Sequence, residues 1–261
     1  MSMLKKLYNK CIAYHAKKRE QIKDEKMSLN LLPTLEESFR KYLTTNSRSN
    51  EKLKILHAKI ASDLLSLLGD GYKVYSLGFE TGKEHVINGR YVGKVVDITI
   101  ADRAGRIVGG IAVKFVMSNY SQNSNNYFEN MLGETANIRS ANIPYFQILV
   151  IPDEVPYYKK DGSILKPEHL SGRNIEKYIK LSQDNPKNYL HAPDKTLLMV
   201  IALPRMDSCK PKIKNRVDYK NVYLKAEVGL SNKIAVSFGS AVILNNYDMF
   251  MNKIAHRIQS E

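Results

Sequence analysis

Asp97 and Lys114 are the residues of this chain whose types and spacing most directly indicate chemistry. Asp97 interrupts the apolar run 95–100, and Lys114 lies within the later apolar run 107–116. A polar group inside an apolar strand costs free energy unless it has a function. Metal-assisted cleavage of a phosphodiester would be such a function, because Asp97 would hold a divalent cation, the backbone carbonyl of Val113 would add a ligand, and Lys114 would lie near the attacking water and the phosphate. The same residues also fit a solvated strand edge.

Hydrophobic periodicity predicts the elements that must position this pair. A charged helical arm over 1–26 is followed by helices over 34–43 and about 51–68, the second ended by Gly69-Asp70-Gly71. The next predicted elements are strands at 72–79, 91–101 and 107–117, a polar loop at 118–127, a helix at 126–140 and a strand at 145–151. A helix at 174–182, a strand at 196–203 and a helix at 246–258 are predicted to complete the core. Asp97 thus falls on the second strand and Lys114 on the third.

The charge of the chain indicates a polyanionic partner. The sequence has 40 Lys and Arg against 26 Asp and Glu, a formal net charge of +14. It contains no run of 18 apolar residues and no signal-peptide pattern, so we expect a cytoplasmic protein without a membrane span. The two cysteines, Cys11 and Cys209, show no zinc-ligand spacing, which argues against a zinc site and a disulfide framework.

The order helix, three strands, helix, strand, with Asp97 on the second strand and Lys114 on the third, resembles the common core of the PD-(D/E)XK nucleases. The polar insert after the lysine strand makes the chain similar to a type II restriction endonuclease of that superfamily. The resemblance covers about residues 50–151. It implies an α/β fold with a restriction-endonuclease-like core, a central mixed β-sheet flanked by helices. It also implies Mg²⁺-dependent hydrolysis of double-stranded DNA at a specific, palindromic sequence, by a homodimer.

The corresponding division of the chain is a single nuclease domain. Residues 1–49 would form a helical arm, 50–151 the catalytic core, and 152–261 the remainder of the core together with DNA or dimer contacts. A repair or recombination nuclease and a sequence-specific protein that binds DNA without cutting it are the alternatives.

Two positions depart from the pattern of the family. Val96 stands where the family has proline, and Ala112 stands where the family has the second acid, two residues before the lysine. Without that carboxylate a magnesium site lacks one ligand. Three explanations stay open: Ala112 replaces a glutamate in an inactivated form, the acid has moved to Glu129 or Glu134 on the following helix, or the protein binds without cutting.

Three segments carry the predicted DNA contacts: the glycine-rich segment 78–93, the amide-rich segment and helix after the lysine strand, and the basic run 210–216. Asparagine can read adenine and arginine can read guanine through paired hydrogen bonds, and lysines contact phosphates. The predicted contacts are Lys83, Arg90, Asn119, Tyr120, Ser121, Gln122, Asn123, Asn125, Asn126, Asn130, Asn137, Arg139, Lys212, Lys214 and Arg216.

The charge predicts a steep salt dependence of DNA binding. Each phosphate contact releases counterions, so the log–log plot of affinity against salt should fall with a slope near −0.9 per contact. For 6 to 10 contacts, affinity should fall roughly a thousandfold or more between about 50 and 200 mM salt. Fluorescence anisotropy of a labelled duplex measures this slope, and a flat response would contradict the duplex-DNA prediction.

Overall fold

The structure is a computed structural model that describes residues 29–45 and 49–260. Its helices are α1 (Leu32–Thr44), α2 (Glu51–Leu68), α3 (Tyr120–Arg139), α4 (Gly172–Gln183), α5 (Arg216–Tyr223) and α6 (Tyr247–Gln259). Its strands are β1 (Tyr72–Ser76), β2 (His85–Asn88), β3 (Gly93–Val96), β4 (Ile98–Asp102), β5 (Ile107–Phe115), β6 (Tyr145–Pro152), β7 (Glu154–Tyr158), β8 (Ile164–His169), β9 (Lys195–Ala202), β10 (Gly229–Leu230) and β11 (Val242–Leu244). The helical arm predicted over 1–26 lies outside the described residues.

A mixed sheet of seven strands organises the described part of the chain. Strands β1, β4 and β5 are antiparallel neighbours, and β6 and β9 continue the sheet in parallel. Strands β10 and β11 pair with opposite ends of β9. The change from antiparallel to parallel pairing requires a crossover between β5 and β6, and α3 provides it.

Helices cover both faces of this sheet, as two adjacent glycines of β5 demonstrate. Neighbouring strand residues point to opposite faces. A Cβ on Gly109 would lie 2.6 Å from Ile258 of α6, whereas a Cβ on Gly110 would lie 3.1 Å from the Tyr145 ring. Tyr145 donates its hydroxyl to Glu134 of α3. Helix α6 therefore lies on one face and α3 on the other, which confirms the predicted α/β class with a central mixed sheet flanked by helices.

The strand predicted over 91–101 is two strands that separate at Asp97. Strand β3 pairs with β2 in a two-stranded ribbon, and β4 pairs with β1 in the central sheet. The glycine-rich segment 78–93, which joins the first two predicted strands, therefore contains a further strand, β2. Ile87 and Val96 of the ribbon are buried in one cluster with Ile138 of α3. This long-range packing changes the direction of the chain at Asp97. No local pattern in the sequence predicts the change.

The polar loop predicted over 118–127 is mostly helix, because α3 begins at Tyr120. Asn119 precedes it in the left-handed region, with φ of 50°, and its side-chain amide bonds both backbone groups of Tyr158. Tyr120 and Ser124, which are four residues apart, are buried on one face of the first turns of α3. The loop prediction was wrong because serine and asparagine have low helix propensity, which tertiary packing overrides here.

Beyond β6 the structure contains elements that the sequence did not predict. Strands β7 and β8 form a hairpin, and α5 begins at Arg216, the last residue of the basic run 210–216. The helices predicted at 174–182 and 246–258, and the strand predicted at 196–203, are observed as α4, α6 and β9 with ends that differ by one or two residues.

Arg139, predicted to read guanine, lies inside the protein at the end of α3. Its Nε donates to Asp194 Oδ2 at 3.0 Å, and its Nη1 donates to the carbonyl oxygens of Tyr189 and Ala192 at 2.9 and 2.7 Å. The Arg139 and Asp194 side chains are only 12% and 11% exposed. The guanidinium joins α3 to the segment before β9, so the predicted base contact is not available to it.

Arg139→Ala should lower the free energy of unfolding by about 2–3 kcal/mol, because a mostly buried Asp194 would lose its closest cation. Urea denaturation followed by circular dichroism measures the change. Arg106→Ala is the matched control: Arg106 pairs with Asp102 but is 74% exposed, so its loss should leave the midpoint unchanged. Equal losses in the two variants would contradict a structural role for Arg139.

Candidate functional site

Asp97 lies at the point where the ribbon leaves the central sheet. The ladder between β4 and β5 ends at the pair Ile98 and Ile111. Beyond that pair, the Val113 N–H donates to Asp97 Oδ2 at 2.7 Å, and the Ser76 hydroxyl donates to the Asp97 carbonyl at 2.8 Å. The Asp97 carboxylate thus accepts the hydrogen bond from Val113 that a neighbouring strand would otherwise accept. This bond fixes Asp97 immediately before β4.

The residues predicted to do chemistry line one cleft of about 950 Å³ between the sheet and α3. Ala112 and Lys114 point to the same face of β5 because they are two residues apart, and Gln147 of β6 lies beside Ala112 in the parallel register. Helix α3 passes over this face. The predicted catalytic and metal-binding residues that line the cleft are Asp97, Ala112, Val113, Lys114, Glu129 and Glu134.

Glu134 is the acid of α3 that takes part in the electrostatics of Asp97. Its Oε2 lies 2.8 Å from Lys94 Nζ, and its Oε1 accepts the hydroxyl hydrogen of Tyr145. Its charge also raises the pKa of Asp97. Glu129, in contrast, is exposed on the cleft wall. Of the two glutamates predicted as a second acid, Glu134 is the one that shares an environment with Asp97.

The pKa of Asp97 is raised from 3.8 to about 6. Burial is the largest cause, and the negative charge of Glu134 adds to it. The hydrogen bond from Val113 acts in the opposite direction, as do the positive charges of Lys94 and Lys114. A buried carboxylate held partly protonated near neutral pH is an environment in which a cation would be favourable.

Lys114 is exposed at the end of β5, on the floor of the cleft. Its Nζ lies 4.5 Å from the centre of the Tyr127 ring, within the range of a cation–π interaction. Tyr127 belongs to the first half of α3, so the segment that was expected to be a loop instead supplies a rigid aromatic neighbour for the lysine.

A second group of candidate metal ligands includes Asp97 but was missed in the sequence: His57 of α2 and Glu84 before β2. One ligand atom from each of the three residues lies within 4.8 Å of the others. His57 is completely buried, and neither ring nitrogen has a hydrogen-bond partner among the described residues. His57 lies at helical spacing on the apolar stripe that contains Leu53 and Ile60, and a polar residue on such a stripe is the signal that could have identified it.

Burial sets the protonation of this group. It lowers the pKa of His57 from 6.5 to about 4, so the imidazole is neutral at pH 7 and has a free lone pair for a cation. Burial and the neighbouring Asp97 raise the pKa of Glu84. A neutral imidazole and two carboxylates form a donor set suited to a divalent transition metal as well as to magnesium.

The predicted DNA contacts divide into accessible and internal side chains. The accessible side chains, which are exposed to solvent, are Lys83, Arg90, Ser121, Gln122, Asn125, Asn126, Asn130, Lys212, Lys214 and Arg216. Of these, Asn130 lines the cleft, whereas Arg216 lines a separate cavity of about 190 Å³ beside Tyr158. The structure therefore does not bring the basic run into the cleft.

The remaining predicted contacts are used inside the protein. Tyr120 is buried, and the Asn119 side chain bonds the backbone of Tyr158. Asn123 donates to the Asn119 carbonyl, and Asn137 bonds the turn between β2 and β3. In this arrangement these side chains are buried or form hydrogen bonds within the protein, so nothing here supports the DNA contacts predicted for them.

The sequence matches no protein-family model, and comparisons with curated proteins and with solved structures gave no significant match. Among the described helices, none combines the length and the apolar character that crossing a membrane requires.

Asp97→Asn should stabilise the metal-free protein at neutral pH. The folded state holds the Asp97 proton more tightly than the unfolded chain does, so ionisation of Asp97 lowers stability as the pH rises from 3.8 through about 6. Asparagine does not ionise. The stability of the variant relative to the parent should therefore increase by roughly 3 kcal/mol between about pH 4 and pH 7.

Urea denaturation in EDTA across this pH range measures the difference. The lowered pKa of His57 has the opposite effect on stability, but both proteins contain His57. Asp161→Asn is the control, because the hydrogen bonds from Ser163 lower the pKa of Asp161 and reverse the expected sign. A pH-independent difference for Asp97→Asn would contradict a raised pKa.

Proposed function

We propose that this protein is a metal-dependent nuclease that hydrolyses phosphodiester bonds of double-stranded DNA at a specific sequence. The observation that carries the proposal is the convergence of Asp97, Lys114 and Glu134, from three different elements, on one cleft. Two acids and a lysine on one cleft provide the charges that phosphodiester hydrolysis requires.

The acids beside Asp97 fit a divalent cation. Asp97 and Glu134 offer carboxylate oxygens on the cleft side, which suit Mg²⁺. His57 adds two buried ring nitrogens next to Asp97 that have no hydrogen-bond partner among the described residues, and a cation would satisfy one of them. We propose Mg²⁺ as the cofactor and expect Mn²⁺ to replace it, since carboxylate and water ligands suit both ions. When bound, the metal would polarise the phosphate and lower the pKa of a water ligand.

The lysines of the cleft contribute positive charge toward the substrate. Lys114, held at the face of the Tyr127 ring, is placed to orient the attacking water and to offset negative charge that develops on the phosphate. Lys94 is now paired with Glu134. If Glu134 turned toward a cation, the ion pair would open and Lys94 would be released for a phosphate contact. Glu134 would then serve the metal and Lys94 the substrate.

The environment of Glu134 favours one explanation for Ala112. Glu134 already couples with Asp97, whereas Glu129 lies exposed on the wall. A migrated acid on α3 therefore accounts for a small residue at Ala112, and Gln147 occupies the neighbouring position on β6. Under this proposal the protein with alanine at position 112 is an active nuclease.

The element order, the net charge and the exposed amides of α3 support the proposed substrate and the proposed family. With the β2–β3 ribbon set aside, the element order α2, β1, β4, β5, α3, β6 agrees with the order expected of a restriction-endonuclease-like core, which supports the proposal. The net charge of +14 favours duplex DNA as the substrate. Exposed amides of α3, such as Gln122, Asn126 and Asn130, are available for sequence readout. We propose that the protein is a type II restriction endonuclease that acts as a homodimer in the cytoplasm. A non-cleaving DNA-binding protein is the second candidate, favoured only by the absence of an acid at Ala112.

Digestion of a long mixed-sequence DNA with Mg²⁺ or Mn²⁺ tests the proposal. The parent should give discrete fragments, and Asp97→Asn or Glu134→Gln should reduce the rate by roughly a hundredfold or more, which corresponds to ~2.7 kcal/mol in activation free energy. Glu129→Gln is the matched control on the same helix and should stay within about threefold of the parent. Gel retardation in Ca²⁺ should show that all four proteins still bind DNA.

The same assay separates the alternatives. Ala112→Glu is added to the same assay. If it is the only protein that cleaves DNA, the second acid belongs at position 112 and the assignment to Glu134 is wrong. Nicks that depend on DNA structure would indicate a repair nuclease. If the parent and all variants are inert with both metals yet retard DNA, the protein binds without cutting.

A further inference from the structure

The turn between β2 and β3 presents an exposed aromatic residue beside the cleft. Tyr91 is 77% exposed and Val92 is 63% exposed, although both are large apolar side chains. Val92 also lines the cleft, together with Lys94 and Val95 of β3. The tip of the ribbon is therefore continuous with the surface that the substrate would occupy.

This turn is held rigidly by one residue of α3, Asn137. The side-chain oxygen of Asn137 accepts from the amides of Tyr91 and Val92 at 2.9 and 3.3 Å, and its Nδ2 donates to the Val92 carbonyl at 2.9 Å. Its own backbone carbonyl accepts from the Arg90 amide at 2.9 Å. A Cβ on Gly89 would lie 2.2 Å from the Asn137 amide nitrogen, so glycine is required for this close approach.

The charges of the ribbon indicate what it contacts. Between residues 81 and 96 the chain carries Lys83, Arg90 and Lys94 against the single acid Glu84. The Arg90 guanidinium lies 5.8 Å from the centre of the Tyr91 ring. An exposed aromatic ring flanked by cations complements the bases and phosphates of nucleic acid, and a two-stranded ribbon fits a DNA groove.

We propose that the β2–β3 turn enters a groove of the duplex bound in the cleft, with Tyr91 against the bases and Arg90 on a phosphate. This inference rests on the proposed function, since it concerns the same substrate. Asn137 positions the backbone of the turn, which sets the place from which the Tyr91 ring extends. The ribbon contributes a base contact that is separate from the amides of α3.

Fluorescence anisotropy with a labelled mixed-sequence duplex in Ca²⁺, measured over a range of salt concentrations, tests the inference. Tyr91→Ala should weaken binding about tenfold with an unchanged salt slope, because contact of the ring with base edges neutralises no phosphate and releases no counterions. Tyr91→Phe should restore affinity to within about twofold, since the ring remains. Arg90→Ala should instead reduce the salt slope by about 0.9, the value for one phosphate contact.

Tyr189→Ala is the matched control, because Tyr189 is 48% exposed and is not among the residues that line the cleft. If Tyr91→Ala binds as tightly as Tyr189→Ala, the turn does not contact DNA, although the nuclease proposal stands. If the parent itself does not bind the duplex, both proposals fail. Loss of a dimer in sedimentation of Tyr91→Ala without DNA would assign the turn to a second copy of the chain and overturn the inference.

Discussion

The burial of the Asp97 carboxylate is the constraint on which the candidate site depends. The chain changes partners at this residue, from the ribbon to the central sheet, and the carboxylate takes the amide of Val113 that would otherwise lack a strand partner. A single hydrogen bond does not compensate for the removal of a charge from water, and the raised pKa is the consequence. The fold therefore maintains an acid whose charged form needs a further positive partner.

The surroundings of Asp97 supply polar groups from two directions. On the cleft side, Glu134 and Lys94 form a pair that helps to set the charge balance. On the other side, His57 and Glu84 bring ligand atoms near Asp97, and the imidazole nitrogens have no hydrogen-bond partner among the described residues. Under the proposed function, a bound cation would add positive charge that favours the ionised form of Asp97.

Helix α3 connects the chemistry to the fold and to the substrate surface. Its buried face fixes it on the sheet, its acid Glu134 raises the pKa of Asp97, and Asn137 and Arg139 tie it to the ribbon and to the segment before β9. Asn137 and Arg139 near its C-terminal end are thus structural, whereas Gln122, Asn126 and Asn130 are exposed. A helix arranged in this way can hold a site rigid while it presents a polar surface beside it.

The sequence by itself determined the α/β class, the element order around Asp97 and Lys114, and the charge, because hydrophobic periodicity and composition are local properties. It did not determine where the strand at Asp97 divides, that the amide-rich segment is helical, or that Arg139 and Asn137 are internal, because each depends on partners far away in the chain. His57 and Glu84 were missed for the same reason: they are separated from each other by 27 residues, and only the packing of α2 beside the ribbon brings them to Asp97. Tertiary structure decided which acid lies at the site, since proximity in space, unlike periodicity, has no local signature.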